Sequence, residues 1–228
     1  MLLLCTVCIR GGSKGVHNKN IRQLHGKPLM AYTIEQAKTT GLFDNIVVST
    51  DSEDFAEMAR SFGADAWFKR PDELATDQAP KIPVIRHALI ESEAYYQCTF
   101  DVIIDLDVTC PLRLPEDICA AYKQFICEKA DILITGCDAR KNPYFNVVEY
   151  RDGHLNLVRT LDIRPTCRQD APQVYDMSSA VYIWKREVLM GSDSLFSGKT
   201  SLFVMPPERS IDIDSELDWK LVESILEQ

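Results

Sequence analysis

Strand-length apolar runs alternate along this chain with stretches whose apolar residues recur at helical spacing, the pattern of a mostly parallel sheet covered by helices. Residues 2–9 read as the first strand. A Gly- and Lys-rich loop follows, then a helix over 28–39 that Gly41 closes. Residues 45–49 form the second strand. Ser52 takes an N-cap position, and Phe55, Met58, Ala59 and Phe62 give the i, i+3, i+4, i+7 stripe of a helix that Gly63 ends. A short strand at 66–68, a loop through Asp77, a helix over 83–94, a strand over 102–106, a helix over 116–128 and a strand over 132–135 complete the alternating part.

The alternation breaks after Arg140. Residues 145–150 and 154–159 alternate as strands do, and Asp152-Gly153 between them is a strong hairpin signal. An unpatterned stretch over 162–175 carries arginines and prolines. The segment from about 140 to 176 is therefore expected to be a dimerisation or lid excursion from a single domain spanning 1–228. Strands at 180–184 and 202–205 then resume the main pattern. A closing helix from Ser215 carries the apolar stripe Leu217, Leu221, Val222 and Ile225.

Composition narrows the class. Of 228 residues, 46% are hydrophobic and 26% charged, which suits a folded chain with a sizeable core. The formal net charge of −9 argues against a nucleic-acid or anionic-membrane binder. No apolar run approaches the roughly 20 residues of a membrane span, and the first strand lacks the flanks of a signal peptide, so a cytoplasmic protein is expected. The cysteines, at 5, 8, 98, 110, 119, 127, 137 and 167, are scattered. The close pair Cys5 and Cys8 has an odd spacing that puts its thiols on opposite faces of a strand, so buried reduced thiols are the expectation.

Three constellations could carry chemistry. Arg10-Gly11-Gly12-Ser13-Lys14-Gly15, with Lys19-Asn20, follows the first strand. Its glycines let backbone N–H groups approach an anion, and three cationic side chains within ten residues suit a polyphosphate. The loop matches neither a Walker A nor a G-x-G-x-x-G motif; the plain alternative is a solvated turn. Asp105-Leu106-Asp107 and Asp212-Ile213-Asp214 are i, i+2 carboxylate pairs, each able to present two hard oxygens to Mg²⁺ or Mn²⁺. Asp214, just before the last helix, could instead cap it. The polar loop from Arg70 to Asp77 should border the same crevice as Arg10 and Asp107, since ligands of parallel sheets bind beyond the carboxyl ends of the strands. The histidines form no triad with Ser or Cys, so nucleophilic catalysis has no support.

These motifs together resemble the cytidylyltransferases that make CMP-activated nonulosonic acids, the CMP-N-acylneuraminate synthetases and their legionaminate and pseudaminate relatives. The resemblance runs nearly end to end. It is carried by residues 9–15 with Lys19-Asn20, Val48-Ser49-Thr50-Asp51, Arg70-Pro71 through Asp77, Pro111-Leu112-Arg113, and Ser210-Ile211-Asp212-Ile213-Asp214 with Glu216-Leu217-Asp218. It implies a Rossmann-like α/β nucleotidyltransferase fold of the GT-A-like type, dependence on Mg²⁺, and a homodimer whose excursion reaches over the neighbour's active site. It also implies that Arg10, Gly11, Gly12, Ser13, Lys14 and Lys19 cradle the triphosphate, with Lys19 at the α-phosphate. Asn20 and Arg70 then contact ribose or cytosine, Asp212 and Asp214 hold the metal, and Arg168 serves the excursion's part of the sugar site.

Two places depart from the family pattern. Many relatives read Gln-Pro-Thr-Ser-Pro-Leu-Arg where this chain has Asp107-Val108-Thr109-Cys110-Pro111-Leu112-Arg113, so a carboxylate replaces an amide. Asp176-Met177-Ser178-Ser179 stands where relatives have Arg-Pro-Asn-Gly, which puts an acid, Asp176, near the sugar. Asp107 is expected to join the metal ligands, because a carboxylate beside a triphosphate requires a neutralising cation. The expected reaction is transfer of CMP from CTP to the anomeric hydroxyl of an acidic α-keto sugar of nine carbons, with Arg10, Lys19 and Asp107 as catalytic residues. The rival readings are the same chemistry on an eight-carbon octulosonate, a glycosyltransferase using Asp105-Leu106-Asp107 as its D-x-D, and a noncatalytic nucleotide-binding protein.

Overall fold

The computed structural model describes residues 1–12 and 15–227. Along the chain, strand β1 (Leu3–Cys8) precedes the two-residue strands β2 (Gln23–Leu24) and β3 (Lys27–Pro28), helix α1 (Leu29–Thr40), β4 (Asn45–Ser49) and α2 (Glu53–Ser61). Next come α3 (Lys81–Tyr96), β5 (Val102–Asp105), α4 (Pro115–Glu128), β6 (Ile132–Asp138) and the hairpin β7 (Val148–Arg151) with β8 (His154–Leu157). The chain finishes with β9 (Tyr175–Lys185), α5 (Arg186–Gly191), β10 (Thr200–Val204) and α6 (Glu216–Leu226).

The alternation of β1 decides the layers. Leu3, Cys5 and Val7 enter one core cluster and Leu4 the other, because successive strand residues face opposite sides of a sheet. The same division runs through Val47 and Val48, Ile103 and Ile104, and Tyr182 and Ile183. Helices α1, α2 and α4 cover the first face through Ile34, Phe55 and Phe125, and α3 and α5 cover the second through Ile85, Leu89 and Leu189. Between them lies a sheet of order β10-β6-β9-β5-β1-β4. Every neighbouring pair is parallel except those of β9, which runs antiparallel to β5 and β6. This is the expected mostly parallel α/β fold.

Cys5 and Cys8 do lie on opposite faces, and all eight cysteines are free thiols. The hairpin forms where Asp152-Gly153 predicted it, with both residues at positive φ, 52° and 78°, as a two-residue turn of that type requires. Among the described residues no helix is long and apolar enough to cross a membrane.

Three elements differ from the pattern-based reading. Residues 66–68 form no strand. Only single bridges, Val47 to Asp65 and Thr50 to Lys69, touch β4, while Trp67 stacks on Tyr95 with ring centroids 4.2 Å apart. Strand β9 begins five residues early, because Tyr175–Ser178 extends along the far end of β6; its polar side chains gave no apolar run to mark it. In α6 the buried residues are Trp219 and Val222, whereas Leu217 is 75% and Leu221 48% exposed. The cap explains the rotation. Ser215 Oγ accepts from the Asp218 N–H while the Asp218 carboxylate accepts from the Ser215 N–H at 2.8 Å, and Arg22 stacks over the Trp219 ring at 4.2 Å.

Candidate active site

β4, β1 and β5 end side by side, and the loops that leave them wall a crevice of about 380 Å³. Arg10, Lys19, Asn20, Arg70, Asp77, Lys81, Asp107 and Asp214 all line it. The loop from Arg70 to Asp77 thus borders the same space as Arg10 and Asp107, where the strand-end rule put it.

The basic wall is ordered by its own contacts. Arg10 pairs with Asp77 across the opening. The Gly11 N–H donates to Asp51 Oδ1 at 2.8 Å, and the buried Asn20 amide donates to the Arg10 carbonyl at 3.0 Å. Arg70, also buried, donates from Nε to Ser49 Oγ at 3.0 Å and to the Ser49 carbonyl. Lys19 is 12% exposed; its ammonium donates to the Ile213 carbonyl at 2.5 Å and lies 3.4 Å from Asp214 Oδ1. Gly15 permits this approach. A Cβ there would lie 2.1 Å from the Asp214 backbone oxygen, so the position excludes any side chain. Gly12 has open space around it, and Ser13 and Lys14 lie outside the described residues.

The acidic side comes from two separated segments: Asp107 and Asp214 line the crevice, while Asp212 lies outside its lining and is bonded to Thr109, which lines it. Asp212 Oδ1 accepts from Ser179 Oγ at 2.7 Å, Cys110 Sγ at 2.8 Å and Thr109 Oγ1 at 3.1 Å. Buried Ile213 anchors the segment, its N–H donating to the Thr109 carbonyl at 2.9 Å. Asp214 is 80% exposed, and it is not the cap of α6, because Ser215 and Asp218 fill that role. The capping alternative for Asp214 therefore falls away. Among the described residues no group of three or more His, Cys, Asp or Glu could hold a metal ion. Of the two carboxylates, Asp214 is open to the crevice, while Asp212 Oδ1 is held by three donors; Mg²⁺ commonly binds one or two carboxylates together with substrate phosphates.

Asp105 and Asp107 converge as their spacing predicts, but on an ammonium. Lys81 Nζ lies 3.0 Å from Asp105 Oδ2 and 2.8 Å from Asp107 Oδ2, above the Tyr182 ring at 4.9 Å. Asp107 Oδ1 accepts from the Thr109 N–H at 3.0 Å, and the Thr109 hydroxyl, with its single proton, lies 3.0 Å from Asp107 Oδ1 and 3.1 Å from Asp212 Oδ1. Burial alone would raise the Asp107 carboxyl; the Lys81 ammonium and the Thr109 donors outweigh it and hold the group at about 2. Burial likewise opposes the charge on Lys81, yet the two carboxylates drive its pKa well above the ordinary lysine value. Behind this cluster Arg113 is fully buried. It donates to the carbonyls of Asp107 and Ala180, to Thr33 Oγ1 at 3.0 Å and to Gln36 Oε1 at 2.9 Å, which fixes the 107–113 loop to α1 and β9.

Arg168 and Asp176 do not reach this crevice within one chain. Arg168 donates to the Ala139 carbonyl and lines a separate hollow with Asp138, Asn142 and Gln173, while Asp176 accepts from the Arg140 N–H at 3.1 Å. Thr109, Cys110, Ser179, Arg113 and Lys81 hold the site in place but were not foreseen as site residues. The first four lie in or beside segments whose motifs were noticed. No local pattern marks Lys81.

Comparisons with known proteins bear on what this crevice does. A family model described as cytidylyltransferase matches residues 4–199. The chain is 48% identical over 226 residues to "Post-translational flagellin modification protein B" of Campylobacter coli, covering 99% of this chain and 95% of that one. It is 46% identical to the "CMP-N,N'-diacetyllegionaminic acid synthase" of Campylobacter jejuni, covering 98% and 94%. It is 32% identical to the Escherichia coli "N-acylneuraminate cytidylyltransferase", of which it covers 52%. Among solved structures, a CMP:2-keto-3-deoxy-manno-octonic acid synthetase complexed with CTP superposes with a TM-score of 0.70 at 16% identity, covering 100% of this chain and 99% of that one. A 4-diphosphocytidyl-2C-methyl-D-erythritol synthase also gives 0.70, at 12% identity and covering 99% and 98%. The structural matches fix the nucleotidyltransferase fold.

Proposed function

Because this chain belongs to the cytidylyltransferase family, we propose that it transfers CMP from CTP to the anomeric hydroxyl of a nonulosonic acid and releases pyrophosphate. The observation that carries this reading is the crevice itself. Arg10, Gly15 and Lys19 of the glycine-rich cationic loop share the crevice with Asp214, and Lys19 reaches both Asp214 and the Ile213 carbonyl. That arrangement suits a triphosphate that must be both held and split. It also weighs against a glycosyltransferase, whose donor is a diphosphate.

In the proposed reaction the anomeric oxygen attacks the α-phosphorus in line, its proton passes to solvent, and pyrophosphate leaves with the bonding pair. Arg10, Lys19 and the Gly11 and Gly12 backbone would bear on the phosphates, Lys19 nearest the α-phosphoryl group. Ser13 and Lys14, next in sequence, would join these phosphate contacts. Arg70 and Asn20, both buried and fixed, would meet the nucleoside. Asp212 and Asp214 would hold a divalent cation, Mg²⁺ or Mn²⁺, which supplies charge neutralisation at the triphosphate when bound. Positioning and fixed charge then account for most of the rate, as is usual for transfer at phosphorus.

The acceptor class rests on the similarity to enzymes named for diacetyllegionaminic and N-acylneuraminic acids. A homodimer would bring the excursion, with Arg168 and Asp176, to a neighbouring crevice. Its exposed apolar side chains, Val148 at 54%, Tyr150 at 80% and Ile163 at 87%, support such a contact. A cytoplasmic setting fits the eight free thiols. The test is pyrophosphate release with each nucleoside triphosphate in turn. Release that requires both CTP and a nonulosonic acid is expected; hydrolysis or transfer from a preformed nucleotide sugar without pyrophosphate would overturn the reading.

A further inference from the structure

Asp107 is a carboxylate lining the crevice, and the structure places a partner against it from another element. Lys81, the first residue of α3, reaches the head of β5 and sits 2.8 Å from Asp107 and 3.0 Å from Asp105. It is 30% exposed, against 1% for Asp105 and 22% for Asp107. The Thr109 N–H and the Lys81 ammonium already occupy both oxygens of Asp107. Thr109 Oγ1 has one proton and lies between Asp107 Oδ1 at 3.0 Å and Asp212 Oδ1 at 3.1 Å. The Lys81 ammonium offsets the charge of Asp107 and makes it the weaker acceptor of the two, so that proton goes to Asp212, beside the protons of Ser179 and Cys110.

We propose that Lys81 is a positioning residue for the reaction, an internal cation that neutralises Asp107 and so directs the Thr109 hydroxyl onto Asp212, with Asp107 serving as a strut beneath that contact and not as a metal ligand. The proposal rests on the cytidylyltransferase reading of the crevice and deepens it. Lys81 supplies from within the chain the neutralisation that a carboxylate beside a triphosphate requires. Asp105 is a lesser partner. Thr6 Oγ1 donates to its other oxygen at 2.8 Å, and the group is buried away from the crevice lining. Asp107, more open and tied to Thr109, stays ionised. Without Lys81 it would repel the triphosphate and compete with Asp212 for the Thr109 proton.

A charge-removal cycle tests this: Lys81→Met, Asp107→Asn and the double variant, assayed by pyrophosphate release from CTP with N,N′-diacetyllegionaminate across an Mg²⁺ titration. Lys81→Met is expected to lower kcat about tenfold or more, and the double variant to recover most of that loss, since both members of the pair are then gone. Asp107→Asn alone should leave the half-saturating Mg²⁺ concentration within about twofold of the unsubstituted chain. A double variant no better than Lys81→Met would place Lys81 on the substrate itself and overturn the proposal. A tenfold rise in the Mg²⁺ requirement of Asp107→Asn would make that carboxylate a metal ligand and overturn it equally. If Lys81→Met does not fold, the double variant against Asp107→Asn decides. A loss under about threefold on removing Lys81 in that background supports the strut, and about tenfold or more contradicts it. If the unsubstituted chain releases no pyrophosphate, the functional reading fails on its own, and the same cycle read as calorimetric CTP affinity settles Lys81: recovery in the double variant supports it, and no recovery contradicts it.

Discussion

At the scale of single residues the crevice is built on two tolerances that can be measured. Gly15 admits no side chain, since a Cβ would lie 2.1 Å from the Asp214 oxygen. Gly15→Ala should force the phosphate loop from the 212–214 segment by enough to cost about a hundredfold in turnover, with native far-ultraviolet circular dichroism. Lys19 donates to the Ile213 carbonyl and faces Asp214, so its side chain adds charge to the crevice and little to the core. Lys19→Ala should therefore lower kcat about a hundredfold, the effect of losing one charge contact worth about 3 kcal/mol in the transition state, and leave the melting temperature nearly unchanged. Unaltered turnover in a folded variant would remove Lys19 from the site. These residues were legible because glycine and lysine are dense in one short loop. Lys81 was not: it lies between Pro80 and Ile82, more than twenty positions from the carboxylates it meets, and only the packing of α3 on β5 brings them together.

At the scale of elements the clearest lesson is α6. Of the stripe Leu217, Leu221, Val222 and Ile225, Val222 is buried and Ile225 packs beside it, while the capping box and Arg22 turn Trp219 inward in place of Leu217 and Leu221. Trp219→Ala should cost about 3–5 kcal/mol in urea unfolding, while Leu217→Ala should stay within about 0.5 kcal/mol. The opposite ranking would restore the predicted stripe. A second element contact makes stability depend on pH. Arg186 at the start of α5 donates two hydrogen bonds to Glu93 on α3, at 2.7 and 2.8 Å, and these hold the Glu93 carboxyl below its usual range, with help from the Phe100 N–H. Because the folded value is depressed, the contribution is complete above the unfolded value near about 4.3 and is lost as the pH falls through the folded one. The melting temperature should fall more steeply below about pH 5 in the unsubstituted chain than in Glu93→Gln; parallel curves would contradict this. Helices with a regular apolar stripe, such as Phe55, Met58, Ala59 and Phe62 of α2, and strands with continuous apolar runs were legible, although Ser52 makes no side-chain cap bond. The start of β9 was hidden because its pairing with β6 is set by a distant partner and Tyr175-Asp176-Met177-Ser178 makes no apolar run.

At the scale of the whole molecule, alternating strands and helices were enough to give an α/β fold with a mostly parallel sheet, since parallel neighbours need a crossover and helices supply it. The antiparallel β9 was not foreseen: nothing in its composition distinguishes the two directions, and the excursion that precedes it removes the helix that would mark a parallel crossover. In the proposed homodimer that excursion would carry the contact between copies. Sedimentation equilibrium should give a dimer, and Tyr150→Asp with Ile163→Asp should shift it toward a monomer of lower activity; a monomeric unsubstituted chain would separate Arg168 and Asp176 from the reaction. The most direct measurement of all is product identity. The purified chain is incubated with CTP, Mg²⁺ and an equimolar mixture of neuraminate, legionaminate, pseudaminate and octulosonate acids, and the nucleotide products are identified by mass spectrometry. A CMP ester of a nine-carbon acid, formed in equal amount with pyrophosphate, is the predicted result. No CMP ester, or one of the octulosonate alone, would contradict it.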